Sequence, residues 1–344
     1  MTLTSVLETL HVEDCQRTHS RNHFSVGGVG VEIVGDREDV KLISSLAPFQ
    51  SNPSECDIQI QVEWVSKLAP TCGAKLFDSG SVWRLYEEEA GYRFDFKARA
   101  LGENPYKRLL VDRDFRRANL WMSREVFVRS PEAVIAPLDY PLDELLIMHR
   151  LTQERGVELH ACGMVSADGI GNLFVGHSGA GKSTTTRLWT ERGDVEILSD
   201  DRIIVRSEQF AAGEQRVPRL RDRSVAPTGH SARDDKMDGA RSDTGKMRMY
   251  GTPWHGEAQY ASPSSASLRR ILVLEHGHGN VVTPLSTGKA VAELFARSFV
   301  PFHGREYVES ALEFLQELAQ GVPCYRFEFE PDQRAVDTIL NLHD

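Results

Sequence analysis

The stretch that most constrains this chain runs from Leu173 to Trp189, LFVGHSGAGKSTTTRLW. Leu173 to Val175 read as the end of a buried strand, and Thr184 to Glu191 are compatible with a helix. Between them Gly176-His177-Ser178-Gly179-Ala180-Gly181-Lys182-Ser183 is a full match to G-x-x-x-x-G-K-[ST]. Such a loop needs its glycines because consecutive backbone N–H groups must curl around phosphate oxygens, in conformations that a Cβ opposes. The helix start adds its positive dipole end and its free N–H groups. The expectation is a nucleoside triphosphate site in which Gly176 to Thr184 cradle the phosphates. In it Lys182 reaches the β- and γ-phosphates and Ser183 holds Mg2+.

The rest of the composition narrows the function classes. At about 150 residues per domain, 344 residues suggest two domains. A net charge of −10 argues against a large nucleic-acid footprint, and no apolar run approaches the length of a membrane span. The start, MTLTSVLETLHVED, lacks the basic and apolar regions of a secretory signal. The five cysteines are scattered without a C-x-x-C pair. Both features suit a reducing cytoplasm and disfavour a disulfide framework or a zinc site.

Along the chain, residues 1–25 read as a loosely attached polar start. Val26 to Gly35 is glycine-rich, but Ile33 stands where a dinucleotide fingerprint needs its last glycine, so the stretch reads as a strand. A short helix is expected near Glu38 to Leu46. Asp57 to Trp64 alternates with period two, as a one-sided antiparallel strand does. Two hairpins are expected, from Val82–Tyr86 with Tyr92–Phe96 and from Arg108–Val111 with Asn119–Met122. Residues 1–140 therefore read as an α+β domain without recognisable chemistry. The helix that follows Pro141 joins it to a second domain, 141–344.

In the second domain Val157 to Val165 and Gly171 to Val175 read as strands, the latter feeding the glycine loop. Val195 to Val205 reads as a strand that carries Asp200 and Asp201 in its middle. Two acidic side chains in an apolar stretch are costly unless a cation compensates them, and a Mg2+–phosphate group beside Lys182 would do so. Residues 207–246, with Arg216, Arg219, Arg221 and Arg223, read as a long mobile insertion. Tyr250 to Glu257 forms a compact loop in which His255 and Glu257 are candidate metal or substrate contacts. Leu268–Glu275 and Cys324–Glu330 read as strands. Ala290–Ser298, Glu306–Leu318 and Gln333–Leu342 read as helices.

The loop alone does not choose among transporter ATPases, GTPases and small-molecule kinases. No L-S-G-G-Q stretch and no N-K-x-D occurs. Over about residues 155–344 the chain resembles the HPr kinase/phosphorylase family, which shares a core with the phosphoenolpyruvate carboxykinases. The resemblance rests on His160, Gly176 to Ser183 with Ser178 inside, Asp200-Asp201-Arg202, and the loop Tyr250 to Glu257. It departs at the family's Glu-Ile-Arg-Gly-type signature, where Met247-Arg-Met-Tyr-Gly251 carries no acid; Glu257 is the candidate substitute.

The resemblance implies an α/β fold, a P-loop kinase core of the HPr kinase/phosphoenolpyruvate carboxykinase type, behind the α+β N-terminal domain. It further implies ATP and Mg2+ as cofactors and transfer of the γ-phosphate to a hydroxyl of a protein, a peptide or a small molecule. In that scheme Asp200 accepts the acceptor's proton, Asp201 and Ser183 hold the metal, Lys182 binds phosphate, and His160 lies by the transferred group. Related kinases are often oligomers, which makes a homo-oligomer the expectation. The alternative is a nucleotide-binding regulatory protein without transfer activity, a reading that the departure favours.

Overall fold

The computed structural model describes residues 20–53, 56–102, 104–129, 131, 135–208 and 247–342. They form two large mixed β-sheets and six helices. The predicted loose start and the predicted insertion fall mostly outside them. Residues 20–26, however, are a strand, and Ser207 ends another.

The first sheet has eight strands: β1 (Ser20–Val26), β2 (Val29–Gly35), β3 (Ile58–Val65), β4 (Lys75–Asp78), β5 (Trp83–Glu88), β6 (Gly91–Phe96), β7 (Lys107–Asp112) and β8 (Arg117–Ser123). Their spatial order is β1-β2-β3-β8-β7-β6-β5-β4. Both expected hairpins are present, and β3 alternates as expected, but it pairs in parallel with β2 and with β8. A short helix, α1 (Glu125–Arg129), follows the sheet. The helix expected near Glu38 to Leu46 is instead a series of turns leading to a 3-10 turn at Ala47–Phe49. The Asn22 side chain donates to the Val40 carbonyl (3.0 Å), an acceptor that a helix would use four residues on, and Trp64 Nε1 donates to Asp39 (2.5 Å).

The helix after Pro141 is α2 (Leu142–Gln153). Its Leu142, Leu145, Leu146, Ile147 and Leu151 lie in the apolar core of the first sheet, together with Ile204 and Trp254 from the second unit. The same helix also touches β9 (Gly156–Ser166) of the second sheet. One core thus runs across the join.

The second sheet continues with β10 (Gly171–Val175), β11 (Val195–Ser199), β12 (Arg202–Ser207), β13 (Met247–Tyr250), β14 (Ser265–His276), β15 (Val281–Pro284), β16 (Ser298–Phe299) and β17 (Cys324–Phe329). Long β14 pairs with β13 through its first residues and in parallel with β10 and β17 through the rest. The carboxyl ends of β10, β14 and β17 therefore meet at one edge, the edge where open α/β sheets place ligands. Helices α3 (Lys182–Arg192) and α6 (Gln333–Leu340) cover one face. Helices α4 (Thr287–Phe295) and α5 (Arg305–Gly321) cover the other. On α5 the buried residues Tyr307, Ala311, Phe314, Leu315 and Leu318 recur at helical spacing and form its inner stripe. Among the described residues no helix is long and apolar enough to cross a membrane.

Where α2, α5 and the first sheet meet, His149 is wholly buried. Its ring stacks on Phe115 with centroids 4.1 Å apart, and Nδ1 faces the Leu145 carbonyl at 2.6 Å. Burial, reinforced by nearby His303, drives its pKa down to about 3. The folded state therefore holds it neutral while the unfolded chain takes up a proton below its ordinary value of 6.5. The stability it supports is complete above pH 6.5 and falls toward pH 3 by about 1.4 kcal/mol per pH unit. Urea titrations across this range should show that slope as the difference between wild type and His149→Phe.

Candidate functional site

The predicted glycine loop connects β10 to α3 at the carboxyl edge. Gly179 (φ 83°) and Gly181 (φ 101°) lie in the left-handed region that side chains oppose. A Cβ on Gly181 would also stand 2.6 Å from the Phe329 ring at the end of β17. The loop is packed from below by Phe329 and held at its crest by His276, whose Nε2 lies 2.7 Å from the Gly179 carbonyl. His177, Ser178 and Gly179 remain exposed, as does Ser183 on the first turn of α3, with Thr184 half-buried beside it.

Lys182 folds back into this loop. Its Nζ donates to the carbonyls of Gly176 (3.0 Å) and His177 (3.3 Å). Burial lowers its pKa, the negative side chains around it oppose that shift, and Arg297 adds to it. Sequence reading missed Arg297, which sits just past α4 in an unremarkable helical context. Its Nη1 donates to Glu293 Oε2 (2.5 Å), while its buried Nε has no hydrogen-bond partner among the described residues. A second cation thus shares the neighbourhood of Lys182. An anion here would relieve their mutual repulsion.

The two aspartates do not lie within one continuous strand. They form the turn between β11 and β12, and adjacent side chains there part company. Asp200 is only 2% exposed and accepts three backbone N–H bonds, from Gly256 (3.1 Å), Ala258 (2.9 Å) and Tyr260 (3.2 Å). Both its oxygens serve the loop after Trp254. The residue expected to face an acceptor hydroxyl is thus turned into the protein's own backbone. Asp201 turns the other way: Oδ1 meets His160 Nε2 of β9 at 3.0 Å and Oδ2 meets Arg202 Nη1 at 3.3 Å. The His160 hydrogen bond, helped by Arg202 and Lys182, holds its carboxyl below the usual aspartate range against the effect of burial. Phe299 closes the site, 4.4 Å from the Arg202 guanidinium carbon and edge-on to His160.

The expected constellation is therefore gathered in part. The glycine loop, Lys182, Asp201 and His160 are brought to one place, and Asp200 serves as the buttress behind them. His255 and Glu257 are exposed on the loop that Asp200 holds, and the His255 ring meets the Gly256 carbonyl (3.1 Å). No group of three or more metal-binding side chains forms among the described residues. No protein-family model matches this chain, and no curated protein matches it either.

The geometry makes Asp200 a stability residue. Asp200→Asn replaces one accepting oxygen by an NH2 group facing backbone N–H donors, which should cost on the order of 3 kcal/mol. Chemical denaturation measures that loss. Amide exchange at Gly256, Ala258 and Tyr260 should quicken in step with it.

Proposed function

We propose that this chain is an ATP-dependent phosphotransferase that moves the γ-phosphate of ATP to a hydroxyl. The observation that carries this reading is Lys182 folded onto its own loop carbonyls, within electrostatic reach of the Asp201–His160 pair. A buried ammonium whose hydrogen bonds among the described residues go to two carbonyls is a charge awaiting a stronger partner, and the left-handed Gly179 and Gly181 around it support the reading of a phosphate cradle.

The residues present also fit Mg2+ in the manner of triphosphate sites, where the ion keeps water and phosphate ligands and needs few from protein. An exposed Ser183 hydroxyl and the ionised Asp201 are the side chains that would hold it. When bound, it neutralises phosphate charge. The chain's own part is positioning. Gly176 to Thr184 bind the triphosphate, and Lys182 leaves its carbonyls for the β- and γ-phosphates. Arg297 adds a second positive charge there. The acceptor oxygen attacks the γ-phosphorus, the bond from that phosphorus to the bridging oxygen of ADP breaks, and the acceptor's proton passes to the Asp201–His160 pair. We assign to Asp201 the role expected of Asp200, because Asp201 meets His160 while both Asp200 oxygens accept backbone amides.

A second reading is nucleotide binding without transfer. The engagement of Asp200 by three amides favours it, since one carboxylate fewer faces the site. The two readings separate on variants. Lys182→Ala should weaken MgATP binding about a hundredfold, measured by calorimetry. Asp201→Asn, at a residue that would also hold Mg2+, should lose at least tenfold more in labelled γ-phosphate transfer into protein and metabolite fractions than it loses in MgATP binding. Tight binding by wild type with no transfer above background would instead establish the second reading.

A further inference from the structure

One helical turn reaches both aspartates. The first residues of α2 include Asp143 and Glu144, both buried, at 2% and 8% exposure. Asp143 Oδ2 accepts from Trp254 Nε1 at 3.0 Å. Trp254 packs in the core of the first sheet, two residues before the Gly256 amide that binds Asp200. Glu144 points toward the other aspartate: its Oε1 lies 2.5 Å from Arg202 Nε, and Arg202 Nη1 lies 3.3 Å from Asp201 Oδ2. Glu158 of β9 completes the group, its Oε1 3.2 Å from the same Nε.

Burial raises both carboxyls, that of Glu158 well above the ordinary range with the charge of Glu144 adding to it, and the Arg202 guanidinium opposes the rise in each. Neither carboxyl makes an aligned hydrogen bond to the Arg202 Nε. Arg202 is thus held by charge, packed under Phe299, and shared between Glu144 on one side and Asp201 on the other. A purely structural ion pair would have no reason to end on the carboxylate that meets His160.

We propose that Asp143 and Glu144 are positioning residues of the phosphotransfer site, through which the first sheet holds the Asp200 loop and the Asp201–His160 pair in working geometry. This rests on the reading of the site as a phosphotransferase. With the carboxylates of Glu144 and Glu158 removed, Arg202 keeps Asp201 as its carboxylate partner among the described residues and draws it from His160. With the Trp254 bond removed, the loop that caps Asp200 loosens.

The test uses the full chain and water as acceptor, reading MgATP hydrolysis together with MgATP binding. Glu144→Gln combined with Glu158→Gln should lower kcat tenfold or more while the Kd for MgATP stays within twofold, a split that general destabilisation does not produce. Glu144→Gln alone replaces the pair if the double variant does not fold. Trp254→Phe keeps the aromatic volume and should both lower kcat several-fold and speed amide exchange at Gly256, Ala258 and Tyr260. A folded Glu144 variant with wild-type kcat overturns the proposal. If wild type binds MgATP but passes γ-phosphate neither to water nor into the protein and metabolite fractions, the phosphotransferase reading itself fails, and amide exchange in Trp254→Phe still decides: unchanged exchange overturns the role of Asp143.

Discussion

The carboxylate of Asp200 holds the site together. Three backbone amides from a loop more than fifty residues away converge on its two oxygens, and no water-facing arrangement could supply that many donors to one buried acid. Hydrogen bonds to an ionised acceptor are the strong ones, and together they offset the cost of burying the charge. The same contact ties the end of β11 to the stretch before β14, assisted by the Ser262 amide on the Leu198 carbonyl (2.8 Å) and the Thr252 hydroxyl on the Arg202 carbonyl (2.8 Å). With the turn fixed on one side, Asp201 can only face the other.

Around that turn the protein buries several charged side chains against partners of its own. Lys182 takes loop carbonyls; Arg202 takes Glu144 and Asp201; Arg206 donates to the Gly27 carbonyl (2.9 Å) and to Glu154 (3.1 Å). Arg206 and Glu144 both connect the second sheet to parts of the chain that belong to, or pack against, the first. Groups that balance the site's charges lean on the N-terminal sheet. Removing it would strip Trp254 and α2, which carries Asp143 and Glu144, of the core they pack in.

The sequence made some of this legible and hid the rest for physical reasons. The glycine loop was readable because its left-handed positions at Gly179 and Gly181 restrict residue type, and its strand and helix stand where local pattern puts them. Strands with clean alternation, such as β3, were readable too. Division of labour between Asp200 and Asp201 was not, because two neighbours in a tight turn diverge according to what packs behind them, and that is a loop distant in sequence. The turns near Val40 show the same limit: apolar spacing there suits a helix, but Asn22 claims the carbonyl a helix needs. Short edge strands β4, β15 and β16 exist only through their partners. Arg297 and Glu144 look like ordinary helix-end charges until the fold sets them beside Lys182 and Arg202.

The central claim is that the glycine loop and Lys182 receive a triphosphate next to Asp201 and His160. A crystal structure of the full chain with Mg2+ and a non-hydrolysable ATP analogue tests it most directly. In that crystal the β- and γ-phosphates should lie inside the curl of Gly176 to Lys182, with the Lys182 ammonium moved from the Gly176 and His177 carbonyls onto phosphate oxygens. A nucleotide bound elsewhere, with Lys182 still on those carbonyls, would contradict it.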